Sequence, residues 1–437
     1  MNKRTWLWSL IVVLPFCMVD SIAPGCGPHE SKAEEEQANP LAARMLSITA
    51  CQNLTREQLH ELDQVTNQLR KLGPAGLVAA INSWENGNQR GAGPSQLELI
   101  DKRLDMIAGQ KQARTCQLFW YKSLATALAR STELKRPVLS LRLLGKLDED
   151  LSCANSRFFR EVLYTKPQIA DLLRHQFILH WQPVRDVPIA TIDFGNGKKL
   201  RQPIIGNSVH LVLSGHGQVI DALPGLVTPA EFIRWMQSVS ELHHEISLLP
   251  QEARKQQVQH WHGDRAQRRR QRCKLTILPS QMVKDLNPLD PRWKNAAEEL
   301  RLTADIPTLA GLPTLAGLPK EPSNATAAMR LAPLKMAAEL PLFRMVDAVE
   351  PRVEQDSFFN LYGLQPKLDD WYTHDAQTGD YEDLTQRIYK ELFLMPLNDP
   401  WLGLSREDRF IALDSRGRHT TEVINISATE VLKTPAN

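Results

Sequence analysis

The chemistry that this sequence can offer is concentrated at one cysteine. In Ser152-Cys153-Ala154-Asn155-Ser156-Arg157-Phe158-Phe159 a thiol stands where a helical pattern begins. A thiol at a helix start meets unpaired backbone N–H groups and the positive end of the helix dipole, and both favour thiolate. Arg157 and Arg160 on the next turns act in the same direction, whereas Asp148, Glu149 and Asp150 oppose it. The expected balance is a modest fall in the Cys153 pKa, with the sulfur partly reachable from solvent. Ser156, three residues on, is placed to hydrogen-bond that sulfur. The competing reading of Cys153 is a small core residue, because free cysteine packs well in interiors.

Other chemistries find little support. The histidine clusters His243-His244 and His260-x-His262 have no matching cysteine or carboxylate set, and they read as exposed polar residues rather than metal ligands. Gly215-His216-Gly217 reads as a hairpin turn. No glycine-rich phosphate loop and no Gly-x-Ser-x-Gly elbow occurs. No cofactor and no metal is expected. With 52 basic and 50 acidic side chains the net charge is +2, which gives no reason to expect a nucleic-acid partner. The six basic residues between Arg265 and Lys274 read as a solvated helix end or linker.

The elements that position Cys153 follow from pattern. Pro137–Leu144 is an apolar run that reads as a strand, and Phe177–Trp181 is a second. Between them lie an acidic turn, Cys153 and a helix over Asn155–Tyr164. Gly195-Asn196-Gly197 marks a tight hairpin within Val187–Pro203. Val209–Leu213 and Val219–Leu223 form the next pair of strands. Thr228-Pro229-Ala230-Glu231 combines an N-cap, Pro at the first helical position and an acidic first turn. Upstream, Thr55 caps a helix whose Leu59, Leu62, Val65, Leu69 and Leu72 share one face.

This order, with Cys153-Ala154-Asn155-Ser156 at the position of a Cys-x-x-Cys motif, resembles the thioredoxin-like family over roughly residues 117–242. It is similar to exported bacterial thioredoxin-like proteins that carry the same Ser-Cys-Ala-Asn-Ser-Arg-Phe-Phe run, and Asp399–Leu404 also looks like part of such proteins. The resemblance implies an α/β fold: a thioredoxin-like three-layer central domain, a mixed sheet flanked by helices, with helical N- and C-terminal extensions. It also implies a redox role at Cys153. Two departures bear on that role. Ser156 replaces the second cysteine, and the family's cis-proline, which would fall near Asn207-Ser208, is absent. Without a resolving thiol the two-cysteine cycle cannot run within this motif. Two functions from different classes follow. One is a monothiol protein forming mixed disulfides with partner-protein thiols or isomerising their disulfides. The other is a redox-inactive module of the cell envelope that binds proteins or peptides.

The ends complete the organisation. Lys3-Arg4 followed by the apolar run Trp6–Val19 reads as a secretory signal over residues 1–26, which implies export to the periplasm or cell envelope. Ser21-Ile22-Ala23 suits an ordinary signal peptidase. Ile22-Ala23-Pro24-Gly25-Cys26 suits a lipoprotein box, with Cys26 lipidated and the protein attached to a membrane by its N-terminal lipid. Residues 27–50 read as a polar tether, 51–116 as a helical hairpin region, 243–322 as a helical and linker region, and 323–437 as a C-terminal helical region. The linker holds a tandem copy, Thr308–Pro313 and Thr314–Pro319. Cys51 and Cys116 are candidates to pair in an oxidising compartment, a pairing that spacing does not fix.

Overall fold

The computed structural model describes residues 32–51, 53–87, 92–273, 356, 357, 359–375, 379–400 and 402. Residues 1–31, the tandem copy and the helical pattern over 327–349 lie outside them.

Four helices begin the described chain: α1 (Lys32–Thr49), α2 (Arg56–Lys71), α3 (Pro74–Asn86) and α4 (Pro94–Ala108). The Thr55 side chain accepts from the Gln58 N–H, and the Gln58 side chain accepts from the Thr55 N–H, a reciprocal cap that starts α2. Leu62, Val65 and Leu69 of α2 pack with Met45 and Ile48 of α1, Trp84 of α3 and Leu104 of α4. The polar tether expected over 27–50 is therefore, from Lys32 onward, a helix with Ala38, Ala42, Met45 and Ile48 buried. The tract is polar on average, but one narrow stripe finds an apolar partner, and that packing holds the helix. The expected hairpin region is accordingly part of a larger helical cluster.

A short helix, α5 (Ala113–Cys116), leads to a mixed four-stranded sheet. Its strands are β1 (Val138–Leu144), β2 (Ile178–Arg185), β5 (Ser208–Leu213) and β6 (Val219–Pro224), in the order β2-β1-β5-β6. β1 and β2 are parallel, with Val138 opposite Ile178; the other pairings are antiparallel. Parallel neighbours need a crossover, supplied here by α7 (Ala154–Phe158), a π-helical turn (Phe159–Leu163) and α8 (Pro167–Gln176). Tyr121 adds a single parallel bridge to His180 at the outer edge of β2. Before β1 runs α6 (Leu124–Leu134), and after β6 runs α9 (Pro229–Ser247), whose Thr228 cap accepts from the Glu231 N–H at 3.4 Å. Every residue of β1, β5 and β6 is buried, so the sheet is covered on both faces. The chain is thus mixed α/β, a four-stranded sheet flanked by helices.

Between β2 and β5 a separate hairpin, β3 (Ile189–Asp193) and β4 (Lys199–Pro203), pairs Asp193 with Lys199. Gly195 and Gly197, both at positive φ, turn the chain between them. Phe194 is 61% exposed and Leu200 40% exposed on this hairpin.

The C-terminal part is fastened to the sheet by polar contacts. It comprises α10 (Gln251–Cys273), a π-helical turn (Asn360–Leu364), α11 (Gln365–His374), α12 (Tyr381–Arg387) and a last π-helical turn (Ile388–Leu392). Arg142 of β1 forms a two-pronged ion pair with Glu382, both contacts at 3.0 Å. The Tyr381 hydroxyl lies 2.8 Å from the Ser140 hydroxyl, itself 2.8 Å from His180 Nδ1.

Beneath α10 and α11 lies a buried ion network. Arg265 donates to Asp221 at 2.5 and 2.8 Å and to Asp369 at 2.5 and 2.8 Å. Arg269 donates to Asp369 at 2.8 Å, Trp235 Nε1 donates to Asp221 at 2.8 Å, and His262 Nδ1 lies 2.9 Å from Asp369. Burial is the strongest single influence and works to raise the Asp369 carboxyl, but the Arg265 charge, the His262 hydrogen bond and the Arg269 charge together outweigh it and hold it at about 2. Two expectations are corrected here. Arg265 and Arg269 do not end a solvated helix, because two carboxylates draw them inward. His262 is fully buried, and His243 is buried enough to be pushed down to about 4.

Candidate functional site

Cys153 stands at the N-cap of α7 in an extended conformation, φ −60° and ψ 162°. Its sulfur accepts the Ser156 backbone N–H at 3.4 Å, the bond that a serine or threonine cap would normally supply. The placement at a helix start therefore matches the sequence reading. α7 then widens into its π-helical turn, where the Tyr164 N–H reaches the Phe159 carbonyl at 2.7 Å. Tyr164 locks this turn to the sheet through its hydroxyl, 2.7 Å from His210 Nε2.

The accessibility of the sulfur differs from expectation. Cys153 has no solvent exposure, and burial pushes its thiol up to about 11. The N–H groups of Ser156 and Asn155, then Arg157 and Arg160, oppose the rise without reversing it. Desolvation penalises the charged form more than the helix start rewards it. The acidic run does not set the balance, because each of its members has a lysine: Asp148–Lys122 at 2.6 Å, Glu149–Lys146 at 2.7 Å and Asp150–Lys111 at 3.2 Å. Ser156 is also corrected in detail. Its hydroxyl is buried with no hydrogen-bond partner among the described residues, and only its backbone reaches the sulfur.

Three parts of the chain enclose the thiol. Gly206, just before β5, packs directly on it. Asn155 Nδ2 donates to the Ser208 hydroxyl at 2.9 Å and ties α7 to that loop. Tyr389 donates its hydroxyl to the Asn207 carbonyl at 2.9 Å, and Asn207 Nδ2 lies 3.1 Å from Met395 Sδ. Arg185, at the end of β2, donates to the carbonyls of Asp399 at 2.7 Å and Leu397 at 3.4 Å, holding the segment after Leu392 in place. No cis peptide bond occurs among the described residues. On the inner side Arg160 donates to the carbonyls of Leu147 and Glu149 and to the Ser152 hydroxyl, shaping the loop before Cys153.

Neither Cys51 nor Cys116 supplies a resolving thiol for Cys153. Cys51 is exposed and Cys116 is buried, and both are free, so the candidate pairing between them is not made. The Cys116 thiol donates to the Arg160 carbonyl at 3.2 Å, and burial pushes it up to about 12. Among the described residues no three His, Cys, Asp or Glu side chains come together as a metal site would require. Cys26 lies outside the described residues.

Sequence reading missed Gly206, Tyr389 and Arg185. Nothing local marks them, since each acts on a segment far away in the chain. The ion network carried one signal, a carboxylate inside the apolar run Val219-Ile220-Asp221-Ala222-Leu223. No family model, no curated protein and no solved structure matches this chain.

Proposed function

We propose that this is an exported thioredoxin-like protein whose central domain binds a protein or peptide partner without redox chemistry. The observation that carries the reading is the enclosure of Cys153: a sulfur with no exposure, a thiol pushed up to about 11, and a serine where a resolving thiol would stand. The thioredoxin-like part is supported by element order. A βαβ unit with a cysteine at its helix start is followed by an antiparallel strand pair and a closing helix. The exposed apolar side chains of the β3–β4 hairpin give such a partner a surface. Export rests on Lys3-Arg4 and Trp6–Val19, and lipid attachment on Cys26. Among the described residues no helix is long and apolar enough to cross a membrane.

Alkylation of the native protein at pH 8 tests the reading. Exposed Cys51 should react promptly, and Cys153 only as fast as the protein opens. Rapid modification of Cys153, or turnover in a disulfide-reduction assay, would refute it. A second reading, a monothiol acting on partner disulfides, is favoured by the N–H groups of Ser156 and Asn155 retained at the sulfur. It requires the covering segment to lift. A mixed disulfide formed at Cys153 under native conditions, faster than global unfolding, would select it.

A further inference from the structure

Away from Cys153, four arginines line one open cavity of about 190 Å³ between α9 and α10. Arg265, Arg268 and Arg269 share one face of α10 by their three- and four-residue spacing, and Arg234 lies on the facing stripe of α9. Their charges are unequally compensated. Arg265 is bound by Asp221 and Asp369, Arg269 shares Asp369, and Arg234 pairs with Glu231. Arg268 has no hydrogen-bond or ion-pair partner among the described residues. Four guanidinium groups thus meet three carboxylates, leaving one positive charge in excess. Burial holds the Arg269 guanidinium down at about 10, only partly offset by Asp369, with neighbouring Arg265 adding to the fall. Trp235 also lines the cavity, its ring fixed by the bond to Asp221.

We infer that this cavity binds a phosphoryl group, either free phosphate or the phosphate of a small monoester. A carboxylate satisfies one guanidinium fork. A phosphoryl group presents three oxygens and up to two negative charges, which suits several converging forks with an unpaired cation among them. At about 190 Å³ the open cavity has room for a phosphoryl group. Arg265 and Arg269 belong to the fold through their carboxylates. Arg268 is free to follow the ligand, and Arg234 reaches it by giving up its partly exposed pair with Glu231.

Thermal unfolding of the full chain, titrated with inorganic phosphate against sodium chloride at matched ionic strength, tests this. The wild type should show a saturable rise in Tm with phosphate beyond that with chloride. Phosphate also stabilises proteins non-specifically by exclusion from their surface, an effect that no single arginine controls. Arg268→Gln should leave the phosphate-free Tm unchanged or slightly raised, by relieving repulsion from Arg269, and should weaken the phosphate dependence at least tenfold. Arg234→Gln provides a second variant on the other helix. A phosphate response identical in the wild type and both variants, or no larger than that of chloride, overturns the proposal. Phenyl phosphate binding tighter than phosphate places the group on an organic ligand beside Trp235; equal binding makes free phosphate the ligand.

Discussion

A Cβ at position 206 would lie 2.9 Å from the Cys153 Cβ and 3.1 Å from the Ala154 nitrogen. Gly206 is thus the floor on which the cysteine rests, and the fit is with its backbone and Cβ more than with its sulfur, 3.5 Å away. Gly206→Ala should destabilise the protein by about 1–3 kcal/mol, the range for overpacking a tight site. Cys153→Ala in the same chain should not restore it, because alanine keeps the Cβ. Urea denaturation of the single and double variants measures both. Recovery in the double variant would show that the sulfur alone fills the space.

Arg185 should control access to the thiol. Hydrogen bonds to charged groups contribute about 1.5–3 kcal/mol, and Arg185 makes its bonds to the segment around Asp399. Arg185→Ala should favour local opening by that amount and speed native-state alkylation of Cys153 about 10- to 100-fold. A rate equal to wild type would mean that this segment is not what covers the sulfur.

Falling pH should destabilise the protein through its buried histidines, against a smaller opposite contribution from Asp105, whose carboxyl burial raises to about 6. Burial lowers His210 from 6.5 to about 3, and burial followed by the Arg142 charge lowers His180 to about 4. Above pH 6.5 both are neutral in folded and unfolded chains. Below it the unfolded chain takes up protons that the folded chain refuses, so stability is lost as pH falls towards 4. A guanidinium titration repeated from pH 7.5 to 4.5 should show this decline. His210→Gln should flatten it while lowering stability at pH 7.5, since the bond to Tyr164 is weakened. A wild-type slope in that variant would assign the decline elsewhere.

Alkali should act in the opposite sense on the buried thiols. Cys153 is raised from 9.0 to about 11 and Cys116 from 9.0 to about 12, both by burial. Up to pH 9 their contribution is fully present, and it is lost as pH rises towards 11 because only the unfolded chain ionises. Cys153→Ala should reduce the slope of stability against pH over that window. An unchanged slope would assign it to other groups.

Arg265 should be intolerant even of lysine. It bridges two fully buried carboxylates, and removing one partner of a buried pair costs about 3–5 kcal/mol. Arg265→Ala should lose at least that much. Arg265→Lys should recover only part, because an ammonium cannot reproduce the fork that spans Asp221 and Asp369. Denaturant midpoints of the two variants decide it, and full recovery by lysine would show that only the charge matters.

What could be read from the sequence was local. The strands β1, β2, β5 and β6 announce themselves as apolar runs, and the caps at Thr55, Cys153 and Thr228 each involve residues within one turn. What could not be read was decided by distant partners. Cys153 has the residues of a thiolate site, yet burial, with Gly206 from a distant loop packed against it, raises its pKa. The stripe of α1 is written in two alanines, a methionine and an isoleucine, too small a signal beside its glutamates. Arg265 and His262 look like surface residues because the carboxylates that bury them, Asp221 and Asp369, lie on other elements.

The cover over Cys153 is also the last part of the site to be made. Tyr389 reaches Asn207 across 182 residues of chain, and Arg185 reaches Asp399 across 214. The ribosome delivers β1, α7 and the loop at Gly206 first, and chain growth at roughly 5–20 residues per second puts about ten seconds or more between that loop and Tyr389. Throughout that interval the nascent chain carries Cys153 without its cover, so an oxidant or a partner thiol has its access during synthesis.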